Sequence, residues 1–235
     1  MYMVGAYSGI GVFYVFAFLR ESKDIFLLLG GVVMPTISIA ILCGGKSSRM
    51  GTDKARLLWG GAEMLDVIAC KLESAGRVFL SVDRKERYAE KPWPAIEDRC
   101  TGFGPLGGLY TILLHSPTPL VFVATCDTPF VDAVLASELL SQWKLGVNAV
   151  IPRQADGRVH PLCAVYHISA LPVLERQISL QKLRIRDALA LMHVCYVPVE
   201  DLAGGIAKFQ NLNTPEQYRE VYAQKGDADE KFFIR

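Results

Sequence analysis

The sequence predicts an α/β protein, a three-layer sandwich built on a Rossmann-like, mainly parallel sheet. From Thr36 onward, strand-like runs alternate with runs of helical apolar spacing, which is the pattern of a sheet covered by helices on both faces. The strand-like runs are apolar along most of their length, as is typical of strands buried on both sides. With 235 residues, the chain is long enough for one such domain with a sizeable core.

Each element follows from a local signal. Continuous apolar runs predict strands, and apolar residues at helical spacing predict helices. Pro105 is typical of a helix start, and Gly76 of a position just past a helix end. The turn residues 155–157 predict a hairpin. The predicted strands are 36–42, 77–82, 119–125, 147–151 and 194–199, and the predicted helices are 62–75, 105–115, 131–144, 168–192 with a break near Ser179, and 214–224.

Charge and cysteine usage narrow the class of protein. The chain has 25 Lys plus Arg against 24 Asp plus Glu, a formal charge of +1. This balance gives no basic footprint for a nucleic acid or an anionic membrane, so neither is a predicted partner. The six cysteines are scattered and form no CxxC pair, which predicts reduced thiols, a cytoplasmic location and no zinc site.

Residues 1–33 form an apolar leader that differs from the rest. Residues 4–19 carry no charge, and a charged segment at 20–24 separates them from a second apolar run. Both runs are short of the ~18–20 residues that span a bilayer. We expect the natural start at Met34, with residues 34–235 forming the functional domain and the leader a mis-assigned extension. The alternative is a weak membrane anchor, and membrane contact is expected only in that case.

The segment 42–54 indicates a phosphate-binding loop. It follows a predicted buried strand and combines glycines at 44 and 45 with three cations, Lys46, Arg49 and Lys54. Glycine lets backbone N–H groups approach an anion closely, and the cations add fixed positive charge. A Walker A loop would need glycine at position 40, which is Ala40. The alternative is a surface turn with solvated charges.

Other polar positions have two interpretations each. Asp127 follows the most apolar strand, where a carboxylate can hold a divalent cation, but it can also cap the next helix. Asp98 precedes a glycine-rich segment that suits a bound ligand or an ordinary loop. His160 can be a ligand-facing group or a structural hydrogen bonder. Asn211 and Asn213 share one side of an extended segment, which a helix start alone does not explain.

Taken together, these motifs resemble one family. The segment Leu42-Cys-Gly-Gly-Lys-Ser-Ser-Arg-Met-Gly-Thr-Asp-Lys54 resembles the signature loop of nucleotidyltransferases and is most similar to that of the molybdenum cofactor guanylyltransferases. The same family has segments similar, in the same order, to Glu97-Asp98 with Gly104-Pro-Leu106, Cys126-Asp-Thr-Pro129, His160-Pro161 and Asn211-Leu-Asn-Thr-Pro-Glu216. The resemblance covers residues 36 to about 224 and implies the nucleotide-diphospho-sugar transferase type of the fold.

The resemblance implies an Mg²⁺-dependent enzyme that transfers GMP from GTP to the molybdopterin-molybdenum cofactor. The products are molybdopterin guanine dinucleotide and pyrophosphate. Its partners would be GTP, the molybdopterin cofactor, and molybdoenzymes or their chaperones. The alternatives are a related nucleotidyltransferase that uses CTP or a sugar or alcohol phosphate acceptor, and a binding module without catalysis.

The resemblance also assigns roles to residues. The catalytic residues would be Arg49, Lys54 and Asp127, with Asp127 as the Mg²⁺ ligand. Nucleotide binding is implied for Leu42, Cys43, Gly44, Lys54, Ser81, Asp98 and Asp127, and acceptor binding for His160, Asn211 and Asn213. Two positions depart from the family pattern. Cys43 replaces a usual alanine, and Ser81 stands where an asparagine often contacts the nucleotide, so an amide donor and acceptor are lost there.

Overall fold

The computed structural model describes the backbone of residues 4–9, 12–18, 25–29 and 32–35, and then residues 37–44, 53–98, 102–212, 217, 218 and 221. In the leader and the two residues after it, the strands β1 (Val4–Gly9), β2 (Val12–Phe18), β3 (Ile25–Leu29) and β4 (Val32–Pro35) pair in sequence order as an antiparallel sheet. Among the residues described, no helix is both long enough and apolar enough to cross a membrane.

After the leader, the predicted strands and helices alternate along the chain. The remaining elements are β5 (Ile37–Leu42), β6 (Leu58–Trp59), β7 (Ala62–Glu63), α1 (Met64–Leu72), β8 (Arg77–Val82), β9 (Ala95–Glu97), α2 (Gly104–His115), β10 (Leu120–Thr125), α3 (Ala133–Ser141), β11 (Ala149–Arg153), β12 (Ala164–His167), α4 (Leu171–Ser179), α5 (Ile185–Leu189) and β13 (Val194–Pro198). Strands β9 and β12 were not predicted, and they follow β8 and β11 with no α-helix between.

The described part of the chain contains a seven-stranded sheet in the order β13-β11-β12-β10-β5-β8-β9. Neighbouring strands are parallel except at β12, which runs antiparallel to both β10 and β11. Strands β5, β8 and β9 follow one another in one direction across the sheet, and β10 then pairs with the other side of β5. This reversal creates a topological switch point between β5 and β10, where α/β proteins usually bind ligands. The predicted mainly parallel sheet is confirmed.

Strand side chains alternate between two apolar cores, one on each face of the sheet. In β5, Ile39 and Ile41 pack into the core with α1 and α3, whereas Ala40 and Leu42 pack into the core with α2, α4 and α5. Alternation along a strand produces this division because successive side chains point to opposite faces. The three-layer sandwich predicted from the sequence is therefore confirmed.

The hairpin and the helix break were predicted correctly, but several helices are shorter than expected. The turn at 155–157 is closed by the bond from the Gly157 N–H to the Gln154 carbonyl at 2.9 Å. The predicted helix 168–192 divides into α4, which ends at Ser179, and α5. The helix predicted at 62–75 begins two residues later, because β7 pairs with β6 just before it. It ends at Leu72. The start of the predicted helix 214–224 lies outside the described residues.

Gly76 does not act as the helix cap that the sequence predicts. Helix α1 ends earlier, with Glu73 in the capping position and in right-handed helical conformation. Gly76 instead lies against β5, where a β-carbon built on it would be 2.3 Å from the Ile37 carbonyl oxygen. Close approach to the strand backbone, and not a left-handed turn, therefore requires glycine at this position.

We predict that Gly76→Ala destabilises the fold by about 2 kcal/mol, because the new methyl group must push β5 away from the α1–β8 connection. Urea denaturation followed by circular dichroism measures the change. Ser74→Ala, an exposed substitution in the same turn, is the matched control and is expected to leave the midpoint unchanged. An unchanged midpoint for Gly76→Ala would contradict the close approach.

Candidate functional site

A cavity of about 850 Å³ opens at the carboxyl ends of the parallel strands. All the predicted site residues that the structure describes line this cavity. They are Leu42, Cys43, Gly44, Lys54, Ser81, Asp98, Asp127, His160 and Asn211. Arg49 and Asn213 lie outside the described residues. Motifs that are up to 169 positions apart in the sequence therefore share one cavity.

The order of strands in the sheet distributes these residues across the cavity. On one side of the switch point, Leu42 is the last residue of β5, Ser81 is the last but one of β8, and Asp98 follows β9. Asp127 follows β10, in the middle of the sheet. His160 lies between β11 and β12, on the other side. The cavity thus has two halves, and Asp127 lies between them.

Lys54 and Asp127 form an ion pair in the cavity, with the lysine Nζ 3.5 Å from Oδ2 of the carboxylate. Each side chain remains about one-fifth exposed, at 18% and 19%. The other carboxylate oxygen accepts a hydrogen bond from the Thr125 hydroxyl at 2.5 Å. Thr125 is the last residue of β10, so the strand itself fixes the orientation of the carboxylate.

Asp127 does not cap the helix that follows it. Helix α3 begins at Ala133, and the Asp132 side chain caps it by accepting the Leu135 N–H at 3.0 Å. The capping alternative for Asp127 is therefore wrong. Its backbone carbonyl instead accepts the Leu212 N–H at 2.9 Å, which ties the last described loop to the end of β10.

The surroundings of Asp127 fit a magnesium ion whose remaining ligands are phosphate oxygens and water. In the described regions, no three His, Cys, Asp or Glu side chains cluster as a metal site. Mg²⁺ in phosphate-transferring enzymes is commonly held by one or two carboxylates together with substrate oxygens and water. A single carboxylate that is partly exposed in the cavity and oriented by Thr125 meets this requirement.

Asp98 is held in place at the far side of the cavity. Its N–H donates to the Val82 carbonyl at 2.7 Å, and its carboxylate accepts the hydroxyl of the fully buried Thr111 at 2.8 Å. Thr111 belongs to α2, so this helix orients the carboxylate. One carboxylate oxygen is satisfied within the protein in this way.

Gly108, in the glycine-rich segment after Asp98, allows α2 to pack beneath this half of the cavity. A β-carbon at this position would lie 2.6 Å from Cδ2 of Leu42. It would also lie 3.8 Å from the Ser81 hydroxyl and 3.8 Å from the Asp98 carboxylate. Leu42, Ser81 and Asp98 therefore all lie close to the same position of α2.

Burial raises the pKa of the three described cysteines that line the cavity, Cys43, Cys126 and Cys163. Burial raises the pKa of Cys43 well above its usual range, and the neighbouring Cys126 adds to the effect. Burial, with Asp127 as the next contribution, raises the pKa of Cys126 to about 12. Because the thiolate is the nucleophilic form, none of the three side chains is poised for attack at neutral pH. The site therefore resembles one that aligns substrates more than one that forms a covalent thiol intermediate.

His160 forms the opposite wall together with an aromatic ring. Its imidazole lies against Phe209, with ring centroids 4.4 Å apart, and Nε2 is 2.7 Å from the side-chain nitrogen of Gln154. Burial lowers the pKa of His160 below its usual range, and the nearby Arg158 lowers it further. The histidine is therefore neutral at pH 7 and has a fixed ring orientation.

The structure adds supporting residues that the sequence did not reveal. Thr125 had a usable signal, because it lies two residues before Asp127 and side chains two apart share a face in an extended segment. Gln154 and Phe209 had none, since each reaches His160 only through the fold. Asp53, beside Lys54, also lines the cavity, although its carboxylate is engaged elsewhere.

Comparison with known sequences agrees with this geometry. Residues 39–194 match the family described as the MobA-like NTP transferase domain. A "probable molybdenum cofactor guanylyltransferase" of Bacillus subtilis is 35% identical over 184 residues, which is 76% of this chain and 90% of the relative. A Bacillus velezensis protein of the same description is 34% identical over 189 residues, covering 78% of this chain and 93% of that protein.

A solved structure also matches. It is described as molybdopterin-guanine dinucleotide biosynthesis protein A from Archaeoglobus fulgidus and superposes with a TM-score of 0.72 at 26% identity. The match covers 80% of this chain and 98% of the other. The nucleotide-diphospho-sugar transferase type of fold is thereby confirmed.

We predict that His160 titrates with a midpoint below the ordinary value of about 6.5. Arg158→Ala should raise this midpoint, because it removes a nearby positive charge, and Asp156→Ala should lower it. Histidine proton shifts followed by NMR between pH 4 and pH 9 would measure these changes.

The lowered pKa of His160 also makes the stability of the fold depend on pH. The unfolded chain binds the proton more readily, so the contribution of neutral His160 to stability is present above the unfolded pKa and is lost as pH falls through the folded pKa. A wild-type midpoint at or above the ordinary value would contradict the buried, neutral assignment.

Proposed function

The chain belongs to the family of MobA-like NTP transferase domains, and on this premise we propose that it transfers GMP from GTP to the molybdopterin-molybdenum cofactor. The products are molybdopterin guanine dinucleotide and pyrophosphate. The observation that carries the proposal is the Lys54–Asp127 pair at 3.5 Å. It lies between two halves of one cavity that are lined by different residues.

The reaction needs alignment and charge neutralisation. An oxygen of the acceptor phosphate attacks the α-phosphorus of GTP, and the bond from that phosphorus to the bridging oxygen breaks to release pyrophosphate. Both reacting phosphates are anions, so positive charge must offset their repulsion. In this proposal, Lys54 lies along the triphosphate and stabilises the leaving pyrophosphate, and Arg49 of the same loop assists. No protein nucleophile is needed, consistent with the protonated cysteines of the cavity.

The nucleotide occupies the half of the cavity near β5, β8 and β9. The backbone of Leu42, Cys43 and Gly44 approaches the base and ribose, with Ser81 and Asp98 beside them. The support for this placement is the close packing of α2 at Gly108, which brings the Asp98 carboxylate and the Ser81 hydroxyl to the same wall. Carboxylate and hydroxyl groups can pair with the ring N–H and amino groups of guanine.

The acceptor occupies the half near β11 and β12. We assign His160, Asn211 and Asn213 to it. The support is that His160 is neutral, rigidly held against Phe209, and faces the cavity on the side away from Asp98. Asn211 is exposed in the cavity wall next to Leu212, whose N–H anchors this segment to Asp127.

Nucleotidyltransferases of this kind generally use a divalent metal, and we propose Mg²⁺ held by Asp127. When bound, the ion supplies positive charge to the phosphate oxygens. Asp127 is suited to this role because Thr125 fixes one oxygen while the other faces Lys54 in the cavity.

We further propose a cytoplasmic protein whose activity resides in residues 34–235. The support is that the cysteines in the described ranges form no disulfide and that all described site residues lie after the leader. Molybdoenzymes or their chaperones are the proposed recipients of the product, and membrane contact is proposed only through the leader.

The direct test is an assay with molybdenum-loaded molybdopterin and α-labelled nucleotides. GTP should transfer its label to the cofactor with release of one pyrophosphate per transfer, and CTP should compete poorly. Preferential transfer from CTP would retain the chemistry but change the product. Absence of transfer from any nucleotide would contradict the proposal.

Lys54→Ala should reduce the turnover number at least tenfold, equivalent to about 1.4 kcal/mol of barrier, because it removes charge from the pyrophosphate. Steady-state release of pyrophosphate measures the effect. Lys144→Ala removes an exposed lysine outside the cavity and should retain full activity. Equal turnover in the two variants would show that Lys54 does not act on the triphosphate.

Asp127→Asn should raise the Mg²⁺ concentration for half-maximal activity at least roughly tenfold, because an amide oxygen is a weaker ligand than a carboxylate. A magnesium titration of the initial rate measures this shift. Asp187→Asn changes an exposed carboxylate of α5 and serves as the control. If the Asp127→Asn titration curve coincides with that of the control, the assignment of the metal to Asp127 is wrong.

A further inference from the structure

The 3₁₀ turn that contains Lys54 is held at its start by a side-chain cap. The turn spans Lys54–Arg56, and the preceding Asp53 caps it by accepting the Ala55 N–H at 3.1 Å. Ala55 is fully buried in the core that contains α1. The residues on both sides of Lys54 therefore have fixed positions.

The Asp53 carboxylate is engaged a second time by residues from a distant part of the chain. The hydroxyl of Tyr88, in the 3₁₀ turn Lys85–Tyr88, lies 3.0 Å from one carboxylate oxygen and 2.8 Å from the other. The Arg87 Nε donates to the carboxylate at 3.1 Å. With donors from Ala55, Arg87 and Tyr88, this carboxylate serves to hold the turn.

Tyr88 is suited to act as a permanent donor. Its side chain is 1% exposed, and burial raises the pKa of its phenol above the usual range, so the hydroxyl keeps its proton. The guanidinium of Arg56 lies over the ring, 5.3 Å from its centroid, and also donates to the Arg87 carbonyl at 2.7 Å. The turn is thus joined to the β8–β9 connection at both of its ends.

We propose that Tyr88 and Asp53 are positioning residues that hold Lys54 in register with the bound triphosphate. The inference rests on the proposed function, in which Lys54 is the phosphate-binding cation. A lysine side chain is long and flexible, so its effect on a reacting phosphate depends on how firmly its backbone is placed. The Tyr88 hydroxyl supplies this constraint from 34 residues away in the sequence.

A double-mutant cycle on the full chain tests the proposal. Dissociation constants for GTP with Mg²⁺ would be measured by calorimetry for wild type, Tyr88→Phe, Lys54→Ala and the double variant. Tyr88→Phe removes only the hydroxyl and should weaken binding about fivefold in the presence of Lys54. In the Lys54→Ala background it should have less than about a twofold effect, because the group it positions is gone.

Two further measurements separate positioning from general destabilisation. Thr118→Val removes a hydroxyl that bonds to Ser38 and the Leu120 carbonyl at the amino ends of β5 and β10, and should leave nucleotide affinity unchanged. Tryptic cleavage after Lys54 should be faster in Tyr88→Phe than in wild type, relative to cleavage at the exposed Lys144. If Tyr88→Phe does not fold, Asp53→Asn replaces it, because that change loses the ion pair with Arg87 but keeps an acceptor for the cap.

The outcomes are distinct. Unchanged affinity in Tyr88→Phe, or an equal loss in both backgrounds, would overturn the positioning role while leaving the proposed function intact. Failure of wild type to bind GTP would instead count against the proposed function. In that case the rate of tryptic cleavage after Lys54 tests whether Tyr88 holds the turn. A rate in Tyr88→Phe equal to that of wild type would overturn the positioning role.

Discussion

The parallel pairing of β5 with β10 is the constraint on which the site depends. Leu42 lies opposite Thr125 at the end of this pairing, and the Cys126 N–H donates to the Leu42 carbonyl at 3.2 Å. The start of the signature loop and the segment that holds Asp127 are therefore neighbours by strand register. A shift of one residue would turn each side chain to the opposite face, so the two apolar cores also hold the site together.

Strand pairing alone does not bring Lys54 to Asp127. Lys54 lies in the 3₁₀ turn that follows Asp53, and contacts with the β8–β9 connection fix this turn. The half of the cavity near β11 and β12 has a comparable support, since His160 packs against Phe209 and the neighbouring Lys208 pairs with Asp132 just before α3. Polar groups at the carboxyl edge are thus positioned by contacts that lie outside the cavity itself.

Much of this architecture was predictable because it depends on local patterns. The apolar runs of β5, β8 and β10 placed these strands within one residue of their observed bounds, and strand polarity then placed the described motif residues at one edge. The β6–β7 hairpin was missed because strands of two residues have no detectable period. The role of Gly76 and the contact between Tyr88 and Asp53 depend on distances between segments far apart in the chain, which no local pattern encodes.

We propose that one cavity aligns a guanine nucleotide and a phosphate acceptor on either side of Asp127. A crystal structure with Mg²⁺ and a non-hydrolysable GTP analogue would test it most directly. We predict the base near Leu42, Ser81 and Asp98, the phosphates at Lys54 and Asp127, and the space beside His160 left for the acceptor. A nucleotide bound outside the cavity, or with its base beside His160, would contradict it.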